Sequence, residues 1–163
     1  MAADMFLELD GVDGESQDKT FTNKIDVLSF SWGVSNAASG HLGSGSGTGI
    51  ANVSDLTVSK YVDKSTNKLI YFCYNGKHVG NGKLHVRKAG GDDKVEYLTY
   101  EMTEVFITNF SQSDSSGGGD LASESVTLNF SKVDIKYKLQ QAAGSGGDSP
   151  HVEIDIKGKT VQV

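Results

Sequence analysis

The sequence predicts a mainly β protein, an antiparallel β-barrel with one flanking α-helix and a long Gly/Ser-rich extended loop. Three observations predict it. Apolar and polar residues alternate in stretch after stretch, as they do in strands buried on one face. A single stretch, around residue 70, has the three-and-four spacing of a helix instead. Between Val27 and Ser54 there is no Asp, Glu, Lys or Arg, although 22% of the chain is charged. That silent interval holds a strand-like run followed by Asn36 to Gly49, NAASGHLGSGSGTG. The second part is too poor in apolar residues to be a core element and too long for an ordinary tight turn.

The alternation places strands at Met5 to Asp10, Ile25 to Ser35, Asn52 to Val62, Lys83 to Ala89, Val95 to Ser111, Glu124 to Lys138 and His151 to Lys157. In the second of these, Leu28, Phe30, Trp32 and Val34 share one parity and are expected in the core. Ser29, Ser31, Gly33 and Ser35 take the other. In the sixth, Val126, Leu128 and Phe130 keep one parity while Val133, Ile135 and Tyr137 take the opposite one. An extra residue near Ser131 or Lys132 must absorb the change, and a bulge there would bend the strand as barrel closure requires. Gly90-Gly91-Asp92-Asp93 is the expected hairpin loop between two strands.

The helix is expected from about Ser65 to Asn75, where Leu69, Ile70, Phe72 and Cys73 fall on one face. Asp63 or Ser65 would cap its start, and Gly76 follows its end. At 163 residues with 37% apolar content, the chain fits a single domain over 1–163, with 36–49 as the extended loop and 139–150 as a flexible loop.

A formal charge of −6, with the 15 Lys and Arg residues dispersed, argues against nonspecific nucleic-acid binding, which needs clustered cations. One cysteine, Cys73, excludes a disulfide within the chain; it is expected as a small apolar residue of the helix, not as a nucleophile. The start, MAADMFLELDG, lacks a cationic region and an uninterrupted apolar core, so no Sec signal is expected. No apolar run is long enough to span a bilayer, and no membrane insertion is expected.

No stretch of the sequence carries a catalytic or cofactor-binding motif. Gly158-Lys159-Thr160 lacks the first glycine of a phosphate loop, because position 153 is Glu, and no helix follows. The glycines at 43 to 49 lack dinucleotide spacing. Gly117 to Asp120 and Gly146 to Asp148 are isolated fragments, not stacked calcium repeats. His41, His78, His85 and His151 are scattered without metal-ligand spacing. Glu101 and Glu104 fall on opposite parities of one strand and cannot face each other unless that strand is irregular. No catalytic residue, metal or cofactor is expected, and an enzyme is not. A strand with a smooth polar back, feeding a long neutral arm, suggests an assembly part.

Six segments sharpen this reading: GESQDKT from Gly14, IDVLSFSWG from Ile25, KYVDKSTNKL from Lys60, RKAGG from Arg87, VEYL from Val95 and ESVTLNFSKVDIKY from Glu124. In that order and spacing, from the first strand to about Tyr137, the chain resembles the haemolysin-coregulated protein (Hcp) family, which builds the inner tube of bacterial type VI secretion systems. Phe21, where a His is frequent, and Asn67, where a Pro is usual, depart from the family pattern as local variations.

The resemblance implies the same barrel and a hexameric ring around a wide channel. It implies rings stacked into a tube, and the spike protein, sheath and baseplate as partners. It also implies assembly in the bacterial cytoplasm and secretion without a signal peptide, with effector proteins held in the lumen. On this reading Ser31, and next to it Ser29, line the lumen and contact cargo. The arm, at Gly40, His41, Leu42, Gly43, Ser44, Gly45, Ser46 and Gly47, would stack one ring on the next, with Leu42 as its apolar anchor. The alternative is a secreted β-barrel binding module for a carbohydrate or protein ligand, but the arm lacks the aromatics or acidic ligands expected of one. A fused effector enzyme would need more chain than the roughly 25 residues beyond the last matching segment.

Overall fold

The computed structural model describes residues 3–37, 50–88, 94–139 and 149–163. Its strands are β1 (Ala3–Leu9), β2 (Ile25–Val27), β3 (Ser29–Ser31), β4 (Val34–Asn36), β5 (Ala51–Val53) and β6 (Leu56–Tyr61). The helix α1 (Thr66–Asn75) follows, then β7 (Gly80–Lys88), β8 (Glu96–Ser113), β9 (Ser123–Asn129), β10 (Lys132–Tyr137), β11 (His151–Asp155) and β12 (Thr160–Gln162). All pairings are antiparallel.

The eighteen-residue β8 organises the molecule. Its first half pairs with β7 and β10, and its second half with β9. One path therefore runs β12-β11-β10-β8-β7-β1-β2, and a branch runs from β8 through β9 and β6 to β3. Glu104, with φ of 53°, stands at the junction, and its left-handed backbone lets one strand serve both halves.

Between the halves lies the core: Leu7, Ile25, Leu56, Val58, Leu84, Val105, Val126 and Leu128 are all fully buried. Each contributes about 1.5–3 kcal/mol by leaving water. The helix closes one side with Leu69, also fully buried, and packs on β8.

The helix obeys its sequence signals with one adjustment. Ser65 is the cap residue but makes no side-chain capping bond; instead its N–H donates to Asp63 Oδ1 at 2.9 Å, and its hydroxyl turns to the same carboxylate. At the other end Gly76 takes a left-handed φ of 68°, and its N–H donates to Phe72 O at 3.2 Å. Cys73 is half-buried on this helix, packed against the core.

Phe21 is buried, stacked on Phe6 at 4.6 Å and tilted over His85 at 4.6 Å, with the Arg87 guanidinium 5.3 Å from its ring. An apolar ring suits this position because, beside Phe6, it gives that cation a second aromatic neighbour.

Several expectations need correction. Among the described residues the hydrogen-bonded ladder does not run round as a closed barrel. The chain from Ile25 changes partner at Leu28, pairing with β1 up to Val27 and with β6 from Ser29, while the Leu28 N–H donates to Ser59 O at 2.8 Å. The expected single strand Ile25 to Ser35 is consequently three short ones, and the expected Asn52 to Val62 strand is split at Ser54 and Asp55.

Breaking the strand also breaks its parity. Phe30 and Trp32 do pack inward, 5.5 and 5.9 Å from the Tyr100 ring. Leu28 is 45% exposed and Val34 53% exposed, so neither fills the core. The parity change near Ser131 occurs in the expected place, as a gap between β9 and β10 and not a bulge within one strand. There the Ser131 N–H donates to Thr103 O at 3.0 Å, which keeps the bend attached to β8. Residues 90–93 of the expected hairpin loop lie outside the described residues.

Candidate functional site

The branch β3-β6-β9-β8 carries the candidate site. Residues opposite one another in an antiparallel ladder project from the same face. The register therefore lines up Ser29, Ser59, Ser125 and Ser111 in one row across four strands. The next row is Ser31, Thr57, Thr127 and Asn109. A third, on three strands, is Tyr61, Ser123 and Ser113.

Each of these outward residues is a hydroxyl or an amide, and none is charged. Beneath them the alternate positions Val58, Val126 and Leu128 belong to the core. The two sequence-predicted residues, Ser29 and Ser31, are both exposed and both sit on β3, at the end of their rows.

The hydroxyls bond to one another across the strands. Ser29 Oγ and Ser59 Oγ are 2.6 Å apart, Thr57 Oγ1 and Thr127 Oγ1 3.2 Å, and Ser113 Oγ and Ser123 Oγ 3.5 Å. Each hydroxyl can donate once and accept twice, so such pairs satisfy each other yet keep capacity for a guest. One carboxylate bounds the face: Asp55 accepts from Thr108 Oγ1 at 3.0 Å and from Asn129 Nδ2 at 2.8 Å. Sequence reasoning had Ser29 and Ser31 but missed the other strands' contribution. The signal was present in Thr57-x-Ser59, Ser123-x-Ser125-x-Thr127 and Asn109-x-Ser111-x-Ser113, where small polar residues alternate against apolar ones.

Every stacking-loop position, Gly40, His41, Leu42, Gly43, Ser44, Gly45, Ser46 and Gly47, lies outside the described residues. The arm's root is visible as the β4–β5 hairpin, a two-stranded sheet separate from the larger one. Ile50, at the root, is 87% exposed. A groove of about 470 Å³ runs between this root and the β11–β12 hairpin, lined by Ile50, Val53, Ile154, Ile156 and Val161 among others. The sheet path ends beside it at β12.

Several charged groups lie elsewhere and engage one another. Arg87, the only arginine of the chain, is buried and donates to Asp4 Oδ2 at 3.1 Å and to both oxygens of Asp18. The hydrogen bonds from Arg87 hold the Asp18 carboxyl well below the usual carboxylate range, against the opposing effect of burial.

His85 is bracketed by Glu96, 2.7 Å from Nδ1, and Glu8, 3.2 Å from Nε2. Burial alone would raise the Glu96 carboxyl, but hydrogen bonds from His85 and Thr99 outweigh it and leave it lowered. Glu101 is held between Lys83 at 3.3 Å and Lys136 at 3.1 Å, while Glu104 is exposed at the irregularity of β8. The two glutamates therefore do not form an acid/base pair. Among the described residues no group of three or more His, Cys, Asp or Glu could hold a metal ion. Nor is any helix there long and apolar enough to cross a membrane.

Comparison with known proteins places these features in a family. The profile described as "Type VI secretion system effector, Hcp" matches residues 6–137. Protein hcp1 of Pseudomonas aeruginosa is 47% identical over 150 residues, covering 92% of each chain. The crystal structure of Hcp1 from Salmonella typhimurium superposes with a TM-score of 0.79 at 34% identity, covering 99% of this chain and 100% of that one. A type VI secretion system effector from Yersinia pestis gives 0.75 at 31% identity over 93% and 99% of the two chains.

Proposed function

The chain belongs to the Hcp family of type VI secretion proteins, and from that premise we propose that it is a structural subunit of the type VI secretion tube. Six copies close head to tail into a ring, rings stack through the arm that leaves the β4–β5 hairpin, and effector proteins are held in the lumen. The spike protein, sheath and baseplate are its partners, and assembly in the cytoplasm precedes secretion through the same machine. The role is structural, not catalytic.

The observation that carries this reading is the uncharged hydroxyl face of β3, β6, β9 and β8. A channel wall that passes different proteins must wet them without binding either sign of charge, and ranks of Ser, Thr and Asn side chains do that. Ser31 and Ser29 are the proposed cargo contacts, on a strand that ends its sheet branch. The apolar groove and the sheet end at β12 support the ring, because an unpaired edge and an uncovered apolar strip are what a neighbouring subunit covers.

Light scattering on the purified protein, with negative-stain images of the same peak, tests the proposal. A mass near six times 17.3 kDa with ring-shaped particles supports it. A monomer at every concentration would remove the tube and put the binding module in its place.

A further inference from the structure

We propose that Lys60 and Glu124 set the register of the hydroxyl-bearing strands and so act as positioning residues for that face. Both are essentially inaccessible, with side-chain exposures of 0% and 0%, although both carry a charge and stand at core parity. They lie directly opposite each other in the β6–β9 ladder, and Gln112 of β8 lies opposite Glu124 on its other side.

The ammonium of Lys60 donates to Glu124 Oε2 at 2.6 Å and to Tyr61 O at 2.9 Å, and lies 3.0 Å from Asp63 Oδ1. The second oxygen, Glu124 Oε1, accepts from Thr66 Oγ1 at 2.7 Å and from Gln112 Nε2 at 3.0 Å. One carboxylate therefore ties β6, β9, β8 and the first turn of α1 together.

Such a key is needed because the rest of the pattern is degenerate. A slip of one residue would turn core residues outward, so the alternation forbids it. A slip of two, about 6.8 Å along the strand, keeps every side chain on its own face. In one direction Ser59 would meet Thr127, Val58 would meet Leu128 and Lys60 would meet Val126. In the other, Ser59 would meet Ser123 and Val58 would meet Glu124. Apart from the pairs that include Lys60 or Glu124, polar still faces polar and apolar still faces apolar in either slip.

Only the polar row distinguishes these registers. Either slip separates a buried ammonium from its carboxylate, which is far costlier than any change among the aliphatic contacts. Registry is also the best-attested use of a buried ion pair. The inference concerns how the face is built and holds whether or not that face lines a channel.

Cross-strand cysteines read the register directly, in a Cys73→Ala background. Directly opposed Cα atoms fall within disulfide reach, and diagonal neighbours at about 7–8 Å fall outside it. With Lys60 and Glu124 present, Ser59→Cys should link to Ser125→Cys and not to Thr127→Cys or Ser123→Cys. In Lys60→Met/Glu124→Leu the link to position 127 or 123 should rise about tenfold in yield while the circular dichroism stays β-rich.

Lys60→Gln/Glu124→Gln, which keeps hydrogen-bonding capacity without charge, gives the same readout if the apolar pair does not fold. A folded variant that links only to position 125 would overturn the proposal. Failure of both variants to fold would also overturn it, because the pair would then be required for folding itself and not for choosing among registers.

Discussion

Ser29 and Ser59 meet hydroxyl to hydroxyl at 2.6 Å across the β3–β6 pair. The contact makes the predicted lumen residue part of a rank that continues through Ser125 to Ser111. A substitution at the end of the rank changes the surface without disturbing the core beneath it, because Val58 and Val126 stay where they are.

Ser31→Gln is the first consequence. Ser31 is exposed and lies opposite Thr57, so the longer amide projects over the face without entering the core. Stability should change by no more than about 0.5 kcal/mol, as for surface substitutions elsewhere. Retention of cargo should fall about tenfold, the loss expected from about 1.4 kcal/mol of displaced contact. Co-purification of an effector with the variant ring measures it, and undiminished retention would remove Ser31 from the contact surface.

A second consequence concerns salt. Among the outward residues of the three rows none is charged, so cargo held there gains little from long-range attraction. Raising salt from about 0.05 M to about 0.5 M, which shortens the Debye length to a few ångströms, should change retention less than about twofold. Loss of cargo across that range, in a ring that stays assembled by light scattering, would place the binding surface at the charged faces instead.

The arm gives a third. Deleting Gly43 to Gly47 should leave rings intact and abolish their stacking into tubes, because the described edge β12 and the apolar groove stay in place for ring contacts. Negative-stain images would separate single rings from tubes. Monomers after the deletion would show that the arm closes the ring.

How much of this was legible in the sequence follows from which contacts are local. Alternation located most of the strands and three-and-four spacing located α1, because those periods belong to the chain itself. The partner change at Leu28 was not legible, since it depends on β1 and β6 both lying beside this stretch, a relation between distant segments. The same holds for the candidate face: Ser29 and Ser31 stood out beside a charge-free arm, whereas Thr57, Thr127 and Asn109 join them only through nonlocal register. Lys60 and Glu124 left a trace, as charges at the parity of Val58 and Val126, but parity alone does not reveal that they meet.

Acid stability should depend on Asp18. Its folded-state carboxyl is held low, chiefly by the hydrogen bonds from Arg87, while in the unfolded chain it titrates near 3.9. A lowered folded value means that the stabilisation is fully present above about pH 4 and is lost as pH falls below it toward the folded value. Asp18→Asn should therefore cost about 1–3 kcal/mol at pH 7, the range for a hydrogen-bonded charge. It should also flatten the decline of stability below pH 4. Urea midpoints measured from pH 7 to pH 2 check both, and an equally steep acid decline in Asp18→Asn would shift the effect to other carboxylates such as Glu96.

Glu124 supplies the sharpest energetic contrast. In Glu124→Leu, Lys60 keeps its contacts to Tyr61 O and Asp63 but loses its closest carboxylate partner, and Thr66 and Gln112 lose their acceptor. Breaking one side of a buried pair typically costs about 3–5 kcal/mol, whereas replacing both sides with apolar residues of similar volume is often neutral. Lys60→Met/Glu124→Leu should therefore recover most of what Glu124→Leu loses, although Asp63 then keeps a carboxylate without its ammonium. Denaturant titrations of the two single variants and the double variant form the cycle that measures the coupling. If the double variant is as unstable as the sum of the singles, the pair is uncoupled, and the 2.6 Å contact does not hold β6 to β9.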